Sequence, residues 1–261
     1  MRPWILAEAN YAYVKEHSYQ VAVLPMGATE PHNLHLPYGT DTFESEELAT
    51  QACAAAFERG AKVVKLPAIP YGTETNLMDF PLAMNVNPST LGLMIRDLVD
   101  SLAQHSVRKL LILNGHGGND FKPLLRELNG RTPVQLFLCD WFRGLTADVQ
   151  KTIFESPGDH AGEMETAFGL AYFPHLVAVD QATGKLLADD GTMAETRFEA
   201  VNRGWVSITR PWKLLTTNTG AGNPHPATAE KGRRLMEIMV QRLSDFLVDL
   251  SQAELDPEFP Y

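Results

Sequence analysis

The chain has 261 residues, of which 44% are hydrophobic and 21% charged, enough apolar content for one large core and too much for intrinsic disorder. A formal net charge of −10 at pH 7 argues against the basic surface typical of nucleic-acid or anionic-membrane binding. No apolar run approaches the ~20 residues of a membrane-spanning helix, and no secretion signal opens the sequence. Cys53 and Cys139 lie in apolar surroundings and are predicted to be free thiols. We therefore expect one cytoplasmic domain, residues 1–261, without nucleic-acid or membrane partners.

Four short apolar runs rich in β-formers are predicted to be strands. They cover residues 21–25, 61–67, 108–114 and 134–139. Helical patterns separate them, so the strands alternate with helices along the chain. Continuous apolar strands in such an alternation predict an α/β fold, in which a mostly parallel sheet is covered by helices on both faces.

The helices are predicted from apolar periodicity and from capping residues. One helix covers residues 43–59, a second begins with Ser89 as its N-cap, and a third begins with Asn119 as its N-cap and ends near residue 130. A further helix follows residue 160, and the last one covers residues 227–250. Residues 180–225 are rich in loops, and residues 189–197 are predicted to form a hairpin.

The segments that follow the predicted strands contain most of the chemically reactive groups. The first such loop, residues 24–43, reads LPMGATEPHNLHLPYGTDTF and holds Glu30, His32, His35 and Asp41. The second strand leads into IPYGTETNLMDFP, the third into NGHGGN, and the fourth into GDHAGEMETAF. Because ligands of open parallel sheets bind beyond the carboxyl ends of the strands, these groups are expected to converge at one edge as an active site.

Within the first loop, the four reactive side chains are expected to have different roles. Glu30 and His32 are two residues apart, so in an extended segment both point to the same side. Asp41 fits either a helix N-cap or a carboxylate that bridges two metal ions, and its neighbours favour the bridge. His35 is placed outside the metal ligands, where it packs or hydrogen-bonds to one of them.

The other motifs add two histidines and two glutamates. Glycines beside His116 let the backbone approach a ligand closely, although a solvent-facing histidine in a turn is the alternative. On a helix, Glu163 and Glu165 point to different faces, so only one is expected to enter the site, and spacing leaves the choice open. An ordinary pKa of ~6.5 suits His160 to proton transfer.

This mixture of Glu, His and Asp, without Cys, is typical of Zn²⁺, Mn²⁺ or Fe²⁺ sites with nitrogen and oxygen ligands. Five ligands exceed the needs of one catalytic zinc and fit two divalent ions ~3.5–4 Å apart that share a carboxylate. The chain has no P-loop, no dinucleotide-binding G-x-G-x-x-G and no G-x-S-x-G, which disfavours those enzyme classes.

Four motifs together resemble those of the creatininase (creatinine amidohydrolase) family: GATEPHNLHLPYGTDT, NGHGGN, DHAGEMET and GNPHPATAEKG. Their order and spacing match over most of the chain. The resemblance implies a three-layer α/β/α fold, a binuclear metal site and a homo-oligomer, often a hexamer built from dimers. It implies the metal ligands Glu30, His32, Asp41, His116 and Glu165. Among these, Asp41 is the bridge, Glu30 and His116 bind one ion, and His32 and Glu165 bind the other. His160 matches the histidine near the substrate.

Several positions near the expected substrate depart from the family pattern. Gly117 and Gly118 follow His116, where creatininases carry a Tyr and a Glu that help to hold creatinine and the more labile metal. The remaining departures are at Pro31, Asn33, Asn76, Leu77, Leu82 and Ala83. The metal ligands match the family pattern, whereas the residues expected to line the substrate site differ from it. Creatinine itself is therefore not the expected substrate.

The sequence thus predicts a metal-dependent amidohydrolase for a small-molecule amide, a cyclic amide or a formamide. In this hypothesis a hydroxide that bridges the two ions attacks the carbonyl group, and His160 delivers a proton to the leaving nitrogen. One alternative is a non-hydrolytic protein that binds a metal or a ligand on the same fold. Another is a lactone or ester hydrolase. A phosphoester substrate is disfavoured, because the motif loops offer no Arg or Lys to bind a phosphate group.

Overall fold

The computed structural model describes residues 1–156 and 158–261. Four parallel strands form one sheet in the spatial order β2-β1-β3-β4. They are β1 (Val21–Met26), β2 (Val63–Lys65), β3 (Lys109–Asn114) and β4 (Gln135–Asp140). In the register of the two central strands, Met26 lies beside Asn114, and Asn114 in turn lies beside Asp140. The four predicted strands are confirmed, and the ends of β1, β3 and β4 lie level at one edge.

Nine α-helices are described in these two ranges of the chain. They are α1 (Tyr11–Val14), α2 (Thr40–Glu58), α3 (Pro88–Gln104), α4 (Lys122–Leu128), α5 (Gln150–Ile153), α6 (Glu163–Tyr172), α7 (Glu199–Asn202), α8 (Trp212–Leu215) and α9 (Ala229–Gln252). Short 3₁₀ turns cover Leu6–Glu8 and Pro174–Leu176, and a π turn covers Trp141–Leu145. None of the described helices is long and apolar enough to cross a membrane.

Alternate residues of the central strands pack against different helix layers. Val21 and Val23 face one layer, which comprises α2, α6 and α9. Ala22 and Leu24 face the opposite layer, which comprises α3 and α4. Since successive strand residues point to opposite faces, a continuous apolar strand is what two helical layers require. The predicted α/β fold with three layers is therefore confirmed.

Three local predictions are wrong. Asn87 occupies the N-cap position of α3 without a side-chain capping hydrogen bond, and proline is the first helical residue, so Ser89 lies inside the helix. Asn119 is buried and accepts a hydrogen bond from the Thr73 amide at 3.1 Å, while the N-cap position of α4 belongs to Phe121.

The third error is the hairpin over residues 189–197, where the structure forms no strand. The carbonyl oxygen of Gly191 instead accepts a hydrogen bond from the Gly222 amide at 2.9 Å. This segment therefore pairs with a distant loop rather than with itself. The prediction of two free thiols is confirmed, with Cys53 buried and Cys139 partly buried.

Helices α6 and α9 approach so closely that we expect Gly232→Ala to destabilise the fold. A Cβ atom at Gly232 would lie 2.1 Å from the carbonyl oxygen of Ala167, so the helices must separate. Overpacking of this kind costs about 1–3 kcal/mol, measurable as a lower urea midpoint. The matched control is Gly92→Ala in α3, where a Cβ atom would lie 3.8 Å from Leu124 and has room. This variant should raise the free energy of unfolding by ~0.5–1 kcal/mol. Equal midpoints for the two variants would contradict this account.

Candidate metal centre

Asp41 lies at the centre of the buried cluster beyond the sheet edge. It occupies the first turn of α2, and Gly39 holds the N-cap position, so the N-cap interpretation of Asp41 is wrong. Its Oδ1 lies 2.9 Å from His32 Nε2, and its Oδ2 lies 2.9 Å from His116 Nδ1. Each carboxylate oxygen thus faces a different histidine, which is the arrangement that a carboxylate shared by two metal ions requires.

Glu30 extends this cluster from the loop after β1. Its Oε1 lies 3.0 Å from His116 Nδ1 and 3.9 Å from His32 Nε2. The Glu30 amide donates to the Tyr38 carbonyl oxygen at 3.1 Å, which closes the loop and turns the side chain inward. Its Oε2 accepts no hydrogen bond from any residue in the described ranges. A buried carboxylate oxygen without a donor is a ready ligand for a cation.

The choice between the two glutamates of DHAGEMET is decided by their surroundings. Glu165 joins His32 and Asp41 in a group whose ligand atoms lie within 4.8 Å of one another. Glu163 points elsewhere: it forms an ion pair with Lys231 and accepts from the backbone amides of Glu155 and Ser156, each at 2.9 Å. One glutamate therefore enters the cluster, and the other ties α6 to its neighbours.

This division predicts opposite phenotypes for two variants. We expect Glu163→Ala to lower the free energy of unfolding by about 3 kcal/mol, the lower end for breaking a buried ion pair, since Lys231 keeps 23% exposure. Bound metal should be unchanged. Glu165→Ala should lower metal content. The urea midpoint of the metal-free protein should fall less than in the Glu163 variant, because within the described residues one hydrogen bond, from the Ala161 amide, is lost and no ion pair is broken. Loss of metal from the Glu163 variant with a normal midpoint would reverse the two assignments.

Electrostatics within the cluster indicate a need for positive charge. Burial, and then the charge of Asp41, raise the pKa of Glu30 well above its ordinary value. Burial raises the pKa of Glu165 to about 7. Burial alone would lower the pKa of His32, but Asp41 raises it to about 10. The buried cluster thus retains protons on Glu30, Glu165 and His32, and divalent ions can supply the same positive charge in place of those protons. The residues present therefore fit a metal site.

His160 lies beside this cluster, and its pKa is shifted in the opposite direction to that of His32. Its Nε2 lies 2.9 Å from the Pro31 carbonyl oxygen, to which it donates, so Nδ1 carries the lone pair. That Nδ1 lies 3.8 Å from Glu30 Oε1. Burial, and then the charge of His32, lower the pKa of His160 to about 3. A neutral imidazole with a free nitrogen towards the cluster can accept a proton.

His35 lies outside the cluster, where the sequence placed it. Its Nε2 lies 2.7 Å from the hydroxyl oxygen of Thr166. Burial, and then the charge of His32, lower the pKa of His35 to about 4. His35 thus joins the first loop to α6 and supports the cluster from behind.

Residues 7–247 match the profile of the creatininase family, described as creatinine amidohydrolase. The chain belongs to the creatininase family. A creatinine amidohydrolase from Pseudomonas putida is 27% identical over 245 residues, which cover 86% of this chain and 87% of that protein. A mycofactocin precursor peptide peptidase from Mycobacterium tuberculosis is 28% identical over 225 residues, covering 84% and 80%.

A solved structure of a creatinine amidohydrolase family protein from Bacteroides fragilis resembles this chain throughout. It has 35% sequence identity and a TM-score of 0.89, and the match covers 98% of this chain and 99% of that one. The family resemblance drawn from the four motifs is therefore confirmed. Relatives in the creatininase family thus include hydrolases of different substrates, an amidohydrolase and a peptidase.

In this creatininase-family chain the cluster opens into a cavity of about 240 Å³. Gly117, Gly118, Asn76 and Leu77 line it, in line with a changed substrate wall. Leu82 is 79% exposed and lies outside the lining, and Ala83 packs in a small core with Leu77.

Two arginines also line the cavity, from segments outside the four creatininase motifs. Arg210 donates to Asp159 at 2.8 Å and lies over the Trp212 ring. Arg143 lies over the ring of Phe142. The motif loops alone gave no sign of this positive charge, because the sequence does not show which distant segment closes the cavity.

Sequence reasoning also missed two buried carboxylates next to the metal ligands. Glu44 is fully buried on α2, three residues after Asp41, where helical spacing puts both on one face. Burial, and then the charges of Glu165 and Asp41, raise the pKa of Glu44. Glu74 is fully buried on the loop after β2, with its Oε1 2.7 Å from His116 Nε2. Its position after a strand was the available signal, since that loop leads to the same sheet edge.

Proposed function

We propose that this creatininase-family protein hydrolyses a C–N bond of a small cyclic amide or formamide with two divalent metal ions, Zn²⁺, Mn²⁺ or Fe²⁺. The observation that carries the proposal is the position of Asp41, whose two oxygens each face a different buried histidine at 2.9 Å. The hydrolase names of the relatives support the reaction class. A homo-oligomer, and a hexamer in particular, is proposed from the family resemblance.

The ligands divide into two sets around Asp41. Glu30 and His116 would hold one ion, and His32 and Glu165 would hold the other. When bound, the two ions would supply positive charge that makes a nearby water molecule more acidic and that stabilises the carbonyl oxygen of the substrate. Asp41 would fix the two positions relative to each other. Burial keeps four of the ligands away from bulk water, and Glu165 is partly buried.

His160 moves the proton in this proposal. Its Nε2–H is held by the Pro31 carbonyl oxygen at 2.9 Å, so the lone pair on Nδ1 faces the cluster. Because its lowered pKa keeps the imidazole neutral, His160 first accepts a proton at Nδ1 as water attacks the carbonyl carbon. The same nitrogen then delivers the proton to the leaving nitrogen as the C–N bond breaks.

The size of the cavity supports a small-molecule substrate. Its volume of about 240 Å³ lies below the ~300–1,000 Å³ of drug-sized sites. Gly117 and Gly118 line the cavity beside His116 without side chains, and Asn76 contributes a side-chain amide to the lining. This lining supports a substrate other than creatinine.

Metal analysis and turnover test the proposed function together. Protein purified without added metal, then loaded with Zn²⁺, Mn²⁺ or Fe²⁺, should hold nearly two ions per chain by elemental analysis. It should hydrolyse members of a panel of cyclic amides and formamides, with short peptides, lactones and esters as comparisons. Two ions without turnover of any of these compounds would favour a non-hydrolytic binding protein. One ion or none would refute the binuclear site.

A further inference from the structure

Glu74 is a buried carboxylate, and within the part of the chain that the structure describes, its one ion-pairing neighbour is the metal-ligand histidine His116. Glu74 is fully buried on the loop between β2 and α3. Its amide donates to Asn85 Oδ1 at 2.8 Å, which fixes the backbone. Within residues 1–156 and 158–261, no donor forms a well-directed hydrogen bond to either carboxylate oxygen, although Oε1 lies 2.7 Å from His116 Nε2. Burying a polar side chain without a hydrogen-bond donor is costly.

The two ring nitrogens of His116 face opposite sides. Nδ1 lies 3.0 Å from Glu30 Oε1 and 2.9 Å from Asp41 Oδ2, so it faces the metal cluster. Nε2 lies 3.2 Å from the Thr73 carbonyl oxygen and 2.7 Å from Glu74 Oε1. Acceptors thus surround both nitrogens. A neutral imidazole carries one proton, so an ion bound through the lone pair of Nδ1 requires that proton to stay on Nε2.

Backbone packing fixes this orientation of the ring. A Cβ atom at Gly118 would lie 2.3 Å from His116 Nε2 and 2.3 Å from the Thr73 carbonyl oxygen. A Cβ at Gly72 would lie 3.0 Å from His116 Cδ2. The loop after β2 therefore lies directly on the imidazole, and the space it uses exists because neither glycine has a side chain.

We propose that Glu74, together with the Thr73 carbonyl, holds the proton of His116 on Nε2 and so presents Nδ1 to a divalent ion beside Glu30 and Asp41. Glu74 is thus a positioning residue that acts through His116. The inference rests on the proposed function only in requiring that the cluster binds metal. Carboxylates in this place behind a ligating histidine fix its tautomer, and their loss typically lowers metal affinity 10–100-fold.

The test compares Glu74→Ala and Glu74→Gln with the parent protein. Zn²⁺ affinity is measured by competition with a chromophoric chelator, and metal per chain by elemental analysis. We expect Glu74→Ala to weaken one of two bound ions by roughly 10–100-fold and to leave the other unchanged. Glu74→Gln should lose less, because its amide oxygen can still accept from Nε2–H. The matched control is Asp79→Ala on the same loop, because the Asp79 side chain is 59% exposed. This variant should bind Zn²⁺ like the parent protein.

A purely structural role predicts a different pattern. In that case Glu74→Ala would lower the thermal midpoint of the metal-free protein and leave both affinities unchanged, which would overturn the inference. Complete loss of one ion in both Glu74 variants would overturn it as well, since Glu74 would then be a direct ligand. If the parent protein itself binds no Zn²⁺, both the proposed function and the inference are overturned, since each requires that the cluster binds metal. Two ions in the parent without any hydrolysis would refute the enzyme alone, and the Glu74 comparison would still decide the inference.

Discussion

Replacing Asp41 by alanine is expected to lower bound metal from nearly two ions per chain to nearly none. One side chain faces both halves of the cluster, with Oδ1 and Oδ2 each 2.9 Å from a different histidine. Its removal therefore takes a ligand from both ions at once. Because a metal contributes several kcal/mol to the transition state and ~1.4 kcal/mol is tenfold in rate, turnover should fall by roughly 10³-fold or more.

Two companion variants separate this effect from damage to α2. Asp41→Asn keeps the shape of the side chain and removes the charge, and it should also lose metal. Glu47→Ala changes a carboxylate on the same helix that pairs with Gln51, and it should keep both ions. Elemental analysis and circular dichroism check all three proteins. An Asp41→Ala protein that keeps two ions per chain would refute the bridge.

The sheet edge was predictable from the sequence because its determinants are local. Each strand is a short apolar run, and the polar groups follow where each run stops, so Glu30 and His116 had to meet if the strands were parallel. Structure adds the register: Met26 at the end of β1 lies beside Asn114 at the end of β3. The convergence follows from the parallel direction of the strands, which alternation predicts, whereas the strand order comes from the structure.

The features that escaped prediction depend on contacts distant in sequence. Spacing left the choice between Glu163 and Glu165 open, and the family resemblance alone pointed to Glu165. The structure adds the reason: Glu163 is held by Lys231, 68 residues later on α9. Glu74 lies on a loop without periodicity, and only the packing of that loop on His116 reveals its place. The hairpin error has the same origin, because the turn-forming residues around Gly191 pair with a loop about thirty positions away.

The second large effect is expected for His160→Gln, which should lower kcat by about 10²–10⁴-fold, the usual contribution of a positioned acid–base group. Metal content should stay at two ions per chain. The physical reason is the ring's orientation: Nε2–H is fixed by Pro31, and Nδ1 remains free to exchange a proton. Single-turnover kinetics on the best panel substrate, with elemental analysis of the same sample, measure both quantities.

The control for His160 must exclude a role as a metal ligand, because its ligand atom and those of Glu30 and His32 lie within 4.8 Å of one another. If His160 binds metal, His160→Gln would lose an ion along with activity, and the acid–base assignment would be wrong. His35→Gln is the matched comparison, since His35 is also buried but bonds to Thr166 outside the cluster. It should keep both ions and most of the activity.

The pH dependence offers an independent check on the same residue. An ordinary histidine base would become protonated, and activity would fall, as the pH drops through ~6.5. Burial and the charge of His32 lower the pKa of His160 to about 3, so the imidazole stays neutral far below that range. The acidic limb of kcat/KM should then follow protonation of the ligands and release of metal. We expect metal content and activity to decline together as the pH falls, and loss of activity near pH 6.5 with both ions retained would contradict this assignment.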